Sequence, residues 1–178
     1  MKKFCISLVC LSIIVLTIVL GAQAPEAKDE YLRIHIRANS NSKADQQVKY
    51  CVRDEIVEYL TPVVAGCESK EVLQNALKLH IFGIEQVADG VLERYGLPYK
   101  SRARVRVEEF PTRIYGDLTL EQGYYDALIV ELGDGVGDNW WCVVYPPLCF
   151  TGSEAGVGFK YKSKIAEIIS DWRERYGK

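Results

Sequence analysis

The chain has 178 residues, 48% of them hydrophobic and 26% charged, with a formal charge of −2. That length suffices for one domain of middling size. Setting aside Lys2 and Lys3, which fall in a leader, leaves 20 basic (22 − 2) against 24 acidic residues, a formal −4, and such an acidic remainder is a poor partner for nucleic acid.

Lys2 and Lys3 precede an uncharged run from Phe4 to Leu20, then Gly21, Ala22 and Ala24, the basic, apolar, small-residue order of an export signal. Residues 1–24 are expected to be a signal peptide cut at Ala22-Gln23-Ala24. The alternative is an N-terminal anchor through residues 4–20, because that run approaches the length of a bilayer span and Pro25 disfavours cleavage. Either way the remainder is expected outside the cytoplasm, residues 25–30 as a flexible lead and 31–178 as one domain. Cys51, Cys67, Cys142 and Cys149 follow the leader, enough for up to two disulfides.

Tyr31 to Ala38 alternates, which predicts a strand with Leu32, Ile34 and Ile36 inward and Arg33, His35 and Arg37 on a cationic outer face. Asn39 to Ser42 supplies turn residues and Ser42 an N-cap. A helix over Lys43 to Leu60 follows, with Val48, Val52, Ile56 and Tyr59 coreward, stopped by Pro62 and Gly66. The second helix starts near Ser69. Leu73, Leu77, Ile81, Ile84, Ala88 and Val91 recur at spacings of three and four, and Gly96 with Pro98 ends it.

Ser101 to Glu109 predicts a strand with Ala103, Val105 and Val107 inward and Arg102, Arg104 and Arg106 outward. Tyr124 to Leu132 reads as a strand apolar on both faces, and Gly133 to Asn139 as a glycine-rich hairpin loop. In the strand that follows, Trp140, Cys142 and Val144 share one face and Trp141, Val143 and Tyr145 the other. Pro146 and Pro147 end it. The turn they make can bring Cys142 and Cys149 together as a disulfide; two reduced buried thiols are the other reading. Tyr161, Ile165, Ile168, Ile169 and Trp172 space as a C-terminal helix lying over the sheet.

The order β-α-α-β-β-β-α predicts an α/β (α+β) sandwich. Its sheet should be mixed and largely antiparallel, of about four strands, the last three an antiparallel meander. Two long helices and the C-terminal helix complete it, after the signal or anchor helix.

Catalysis by a thiol and an imidazole needs a Cys and a His in contact; the candidates are His35 or His80 with Cys142 or Cys149, as in an exported cysteine or cell-wall hydrolase. Zinc would need clustered Cys or His, which the spacing lacks. The Gly133–Asn139 loop has no lysine and is acidic, against phosphate, and lacks the EF-hand spacing for calcium. No metal or cofactor is therefore expected. Trp140, Trp141, Tyr124 and Tyr125 suit a cell-wall glycan platform, a core or a protein interface. Arg33, Arg37, Arg102, Arg104 and Arg106 would form a strip facing anionic lipid or an acidic protein segment, if strands one and two are neighbours; otherwise they are scattered, solvated arginines.

Three blocks, LRIHIRANSNS (Leu32 to Ser42), PTRIYGD (Pro111 to Asp117) and NWWCVVYPPLCF (Asn139 to Phe150), closely resemble the stage II sporulation protein R family of endospore-forming bacteria. The resemblance implies a protein made in the forespore and sent across the septal membrane. There it would trigger a membrane-embedded aspartic protease of the mother cell, which cleaves the pro-sequence from sigma factor E. It implies a signal rather than an enzyme, with no catalytic residues. The surfaces expected to meet the extracytoplasmic part of that protease are the rim at Asn39 and Ser40, the strip at Arg33, His35 and Arg37, and whichever of Trp140 and Trp141 is exposed.

Overall fold

In a computed structural model of the chain, residues 27–28, 30–115, 118–150, 170 and 174 are described. Strand β1 (Leu32–Arg37) lies inside a four-stranded sheet of order β2-β5-β1-β6, with β2 at Ser101–Phe110, β5 at Gly123–Leu132 and β6 at Asn139–Tyr145. β1 runs parallel to β5 and antiparallel to β6, and β2 is antiparallel to β5. The sheet is mixed and mostly antiparallel, in an α+β fold as the element order predicts.

The expected meander is not what forms, because β1 inserts between β5 and β6. The middle of β5, Ala127 to Val130, is fully buried, so that strand gains from a neighbour on each edge. Stepping over one strand takes about 10 Å, which the loop from Gly133 to Asp138 spans easily. The β2–β5 connection also holds a small hairpin not anticipated from the sequence, β3 (Arg113–Tyr115) paired with β4 (Leu118–Leu120).

Helices α1 (Lys43–Ala65) and α2 (Lys70–Arg94) cover one face of the sheet. Each begins where the sequence places a cap: Ser42 accepts from the Asp45 N–H at 3.1 Å and Ser69 from the Val72 N–H at 3.3 Å, satisfying amides the helix itself cannot. Val48, Val52 and Ile56 of α1 and Leu73, Leu77 and Ile84 of α2 are buried against Ile34, Leu128 and Val130. Each such side chain contributes about 1.5–3 kcal/mol.

Helix α1 runs through Pro62, where the sequence predicts its end, and stops at Gly66. Proline removes one N–H that would bond the Glu58 carbonyl. Glu58 and Pro62 are both exposed, so water can satisfy that carbonyl while Leu60, Val64 and Ala65 keep packing. Val107, expected inward, is exposed, since α2 bonds β2 only at Ser101 and Ala103.

Cys142 and Cys149 form a disulfide, with Cα atoms 6.1 Å apart. Closing so short a loop contributes roughly 2.5 kcal/mol in the chain-entropy account. Beyond Pro146 and Pro147 the chain makes a 3-10 turn at Leu148–Phe150. Among the described residues no helix is long and apolar enough to cross a membrane. The expected leader and, but for Ser170 and Glu174, the expected C-terminal helix lie outside the described residues.

Candidate partner-binding face

Strand β1 supplies both faces of the sheet. Leu32, Ile34 and Ile36 point to the helices as expected, but the opposite side chains are not on a wet cationic face. Arg33 is 0% and His35 4% exposed, and only Arg37 stays half-buried. The cover comes from β2 and the β3–β4 hairpin. Glu108 sits opposite Tyr125 in register and His35 opposite Ile129, yet the two side chains bond at 2.6 Å. The β2–β5 pair must therefore coil across the face, as twisted two-stranded ribbons do, bringing the far end of β2 over β1.

Charge then pairs across strands. Arg37 donates to Glu108 at 2.7 Å and to Glu131 at 2.9 Å. Arg106 donates to Glu108 at 2.6 Å, and Arg104 also bonds Glu131. Burial pushes the Glu108 carboxyl up, but bonds from His35 and Arg106 and the charge of Arg37 outweigh it and hold the pKa at about 2. Since Glu108 is then a carboxylate and accepts only, His35 Nδ1 is the donor in their bond.

Strands one and two are separated by β5, which corrects the condition set for an arginine strip. Arg37, Arg104 and Arg106 still gather on one face, each tied to a glutamate.

Aromatic rings fill the rest. Arg33 lies over Phe110 at 4.2 Å and Tyr125 at 4.8 Å, and its Nη2 donates to the Tyr115 hydroxyl at 2.9 Å. Trp141 stacks on His35 at 5.3 Å, and the Arg113 guanidinium caps Trp141 at 4.0 Å. Trp140 points to the other face, where Arg53 approaches its ring. The two tryptophans therefore cannot form a single coplanar platform, and with Tyr125 buried the four aromatics do not line up as a glycan surface.

Asn39 and Ser40 brace the fold. Both donate to Asp45, and Tyr99 joins them; burial opposes ionisation of Asp45, and these bonds lower its pKa overall. Asn39 also accepts from the Asp134 N–H at 3.0 Å and Asn41 from the Asp138 N–H at 2.6 Å. The glycine-rich loop is thus clamped to the β1–α1 turn. A Cβ on Gly137 would drive into the Ser40 backbone carbonyl, which is why that position takes glycine.

None of the thiol–imidazole pairs considered from the sequence forms among the described residues. Cys142 and Cys149 are joined to each other, His35 bonds Glu108, and His80 Nδ1 meets the Tyr59 hydroxyl at 2.8 Å. Of the free cysteines, Cys51 contacts the Tyr95 hydroxyl, and burial pushes the Cys67 thiol up, away from nucleophilic character.

Sequence reasoning missed Glu108, Phe110, Arg113, Tyr115 and Glu131 as parts of this face. One signal was present: Arg102, Arg104, Arg106, Glu108 and Phe110 share strand parity, so an acid and a ring already lay on the arginine side.

Residues 28–155 match the family described as Stage II sporulation protein R. The chain is similar to the Stage II sporulation protein R of Bacillus subtilis (strain 168), with 34% identity over 132 residues, 74% of this chain and 59% of that protein. The chain thus spans less than two thirds of that relative's length. No solved structure matches.

Proposed function

Because the chain belongs to the stage II sporulation protein R family, we propose that it is a secreted signal that switches on a membrane-embedded aspartic protease during endospore formation. In this reading residues 1–24 carry it out of the forespore into the space between the two membranes, free or held by residues 4–20. There it docks on the extracytoplasmic part of the protease, which removes the pro-sequence of sigma factor E in the mother cell. The chain contributes binding and breaks no bond itself. It acts by binding the active conformer more tightly than the inactive one; a tenfold preference, about 1.4 kcal/mol, shifts their ratio tenfold.

What supports this reading is a convergence. The three blocks that carry the resemblance deliver side chains to one face: Arg33, His35 and Arg37 from the first, Arg113 and Tyr115 from the second, Trp141 from the third. Arg37, Arg113, Tyr115 and Trp141 are the half-buried members of that group, and among them Arg113 lies on Trp141, two residue types enriched at the energetic centres of protein interfaces.

The test is co-expression of the full chain with the protease and the sigma-factor precursor in a foreign host. Processing should depend on both the chain and the protease, and Arg113→Glu should reduce it at least about tenfold, the size of a lost interface anchor. Cleavage of the precursor without the protease would overturn the reading, as would no cleavage with all three present and correctly inserted.

A further inference from the structure

Arg33 is the least explained residue in the molecule. It sits on the inner strand β1, fully buried, and among the described residues no carboxylate pairs with it. Among the described residues its Nε and Nη1 have no hydrogen-bond partner, and neither has His35 Nε2, two residues along the same face. Stacking on Phe110 and Tyr125 satisfies the flat faces of the guanidinium but leaves its in-plane N–H groups unused, and burying a charge so placed is costly. Its one hydrogen bond runs from Nη2 to Tyr115.

A guanidinium grips a carboxylate side-on through Nε and Nη2 together. Here Nε is free and Nη2 is held by a neutral hydroxyl. That hydroxyl belongs to β3, half of a hairpin with three residues per strand that pairs with no other strand among the described residues. A two-stranded ribbon is marginally stable by itself; this one is held through buried Leu120 and through Tyr115, while its Ile114 is exposed. The neighbourhood is electropositive: Arg33, Arg37, Arg104, Arg106 and Arg113 stand against Glu108 and Glu131.

We propose that Arg33 is the anchor of a carboxylate-binding socket roofed by the β3–β4 hairpin. A carboxylate on a partner polypeptide displaces the Tyr115 hydroxyl and takes the Nε–Nη2 fork, while Phe110 and Tyr125 flank it. Ring walls under a roof admit a single projecting group, a side chain or a chain end. They exclude the flat headgroup layer of a bilayer, and the nearby Glu108 carboxylate repels a dianionic phosphate more than a carboxylate. The assignment of the protease as the polypeptide rests on the function proposed above; the socket itself does not.

The experiment titrates the full chain, arginine-labelled with nitrogen-15 and kept in non-ionic detergent, following the Arg33 Nε–H signal. Four probes are used: a C-terminally amidated hexaglutamate, a hexaglutamine with free C-terminus, an amidated hexaglutamine, and phosphatidylglycerol vesicles. A saturable shift with the first or second supports the socket and tells side-chain from terminal carboxylate. The third should do nothing. Tyr115→Phe frees Nη2 and should tighten binding about three- to tenfold, the weight of one neutral hydrogen bond. Arg33→Lys, if its amide spectrum remains native, should weaken it at least about tenfold by removing the fork.

A shift with vesicles alone overturns the proposal in favour of lipid phosphate. No shift with either carboxylate probe, in the parent and in Tyr115→Phe alike, overturns it outright. The titration contains no protease, so binding here without processing in the co-expression assay would sink the activation reading alone. The reverse result would sink only the socket.

Discussion

Glu108 accepts from three side chains of the covered face, His35, Arg37 and Arg106. Its pKa falls from 4.5 to about 2, so its contribution is present above pH 4.5 and is lost as pH drops toward 2. For a side chain only 12% exposed, that shift corresponds to roughly 3 kcal/mol. Glu108→Gln should lower stability at pH 7 by about that order and flatten the acid limb between pH 4.5 and 2; urea melts across that range check it. An unchanged acid limb would mean these bonds carry little free energy. The Cys142–Cys149 link is testable the same way. Replacing both with serine should cost roughly 2.5 kcal/mol, and a loss well below 1 kcal/mol in the same melts would count against the loop-closure account.

Among the elements, α2 carries two mid-helix glycines with different reasons to exist. Nothing lies within 4 Å of a Cβ placed on Gly90, whereas one on Gly83 would strike the Tyr59 hydroxyl, which bonds His80 across the helix pair. Gly90→Ala should stabilise by about 1 kcal/mol, and Gly83→Ala should fall short of it by at least about 1 kcal/mol through the lost hydrogen bond. Equal gains in thermal melts would show that Tyr59 repacks freely. Both helices and all four sheet strands were legible because periodicity and caps are local signals. What was not legible had distant causes. Arg33 and His35 follow the alternation of a half-wet strand, and nothing near them announces that Glu108, Phe110 and Tyr115, more than seventy residues on, will close over that side. Pro62 misled for a related reason: the helix continues past it because Val64 and Ala65 are buried beyond it, a gain the local sequence does not announce.

Across the molecule, side chains of a helix cover one edge of the sheet. On the β2 edge, the Glu85 carboxylate accepts the Ala103 N–H at 2.8 Å and Asp89 accepts that of Ser101 at 2.7 Å. Two side chains of α2 thus occupy donors that would otherwise template another strand. The double variant Glu85→Ala, Asp89→Ala should self-associate with rising concentration under conditions where the parent does not; identical sedimentation of the two would remove this role. Which strands would be neighbours was the least accessible feature from sequence. The short β5–β6 connection favours pairing those strands, and only burial on both sides of β5 and β1 reverses that preference.

Of the two inner strands β1 comes first in the chain, and its parallel neighbour begins pairing at Leu32 with Asp126, 94 positions later (126 − 32). Contacts of such span form slowly, because a long loop must close before they return anything. A polypeptide emerging front end first, from a ribosome or a narrow pore, therefore carries this strand without its parallel neighbour until Glu131 has followed, and without its antiparallel one until Tyr145 has. Until both have emerged, the sheet cannot close.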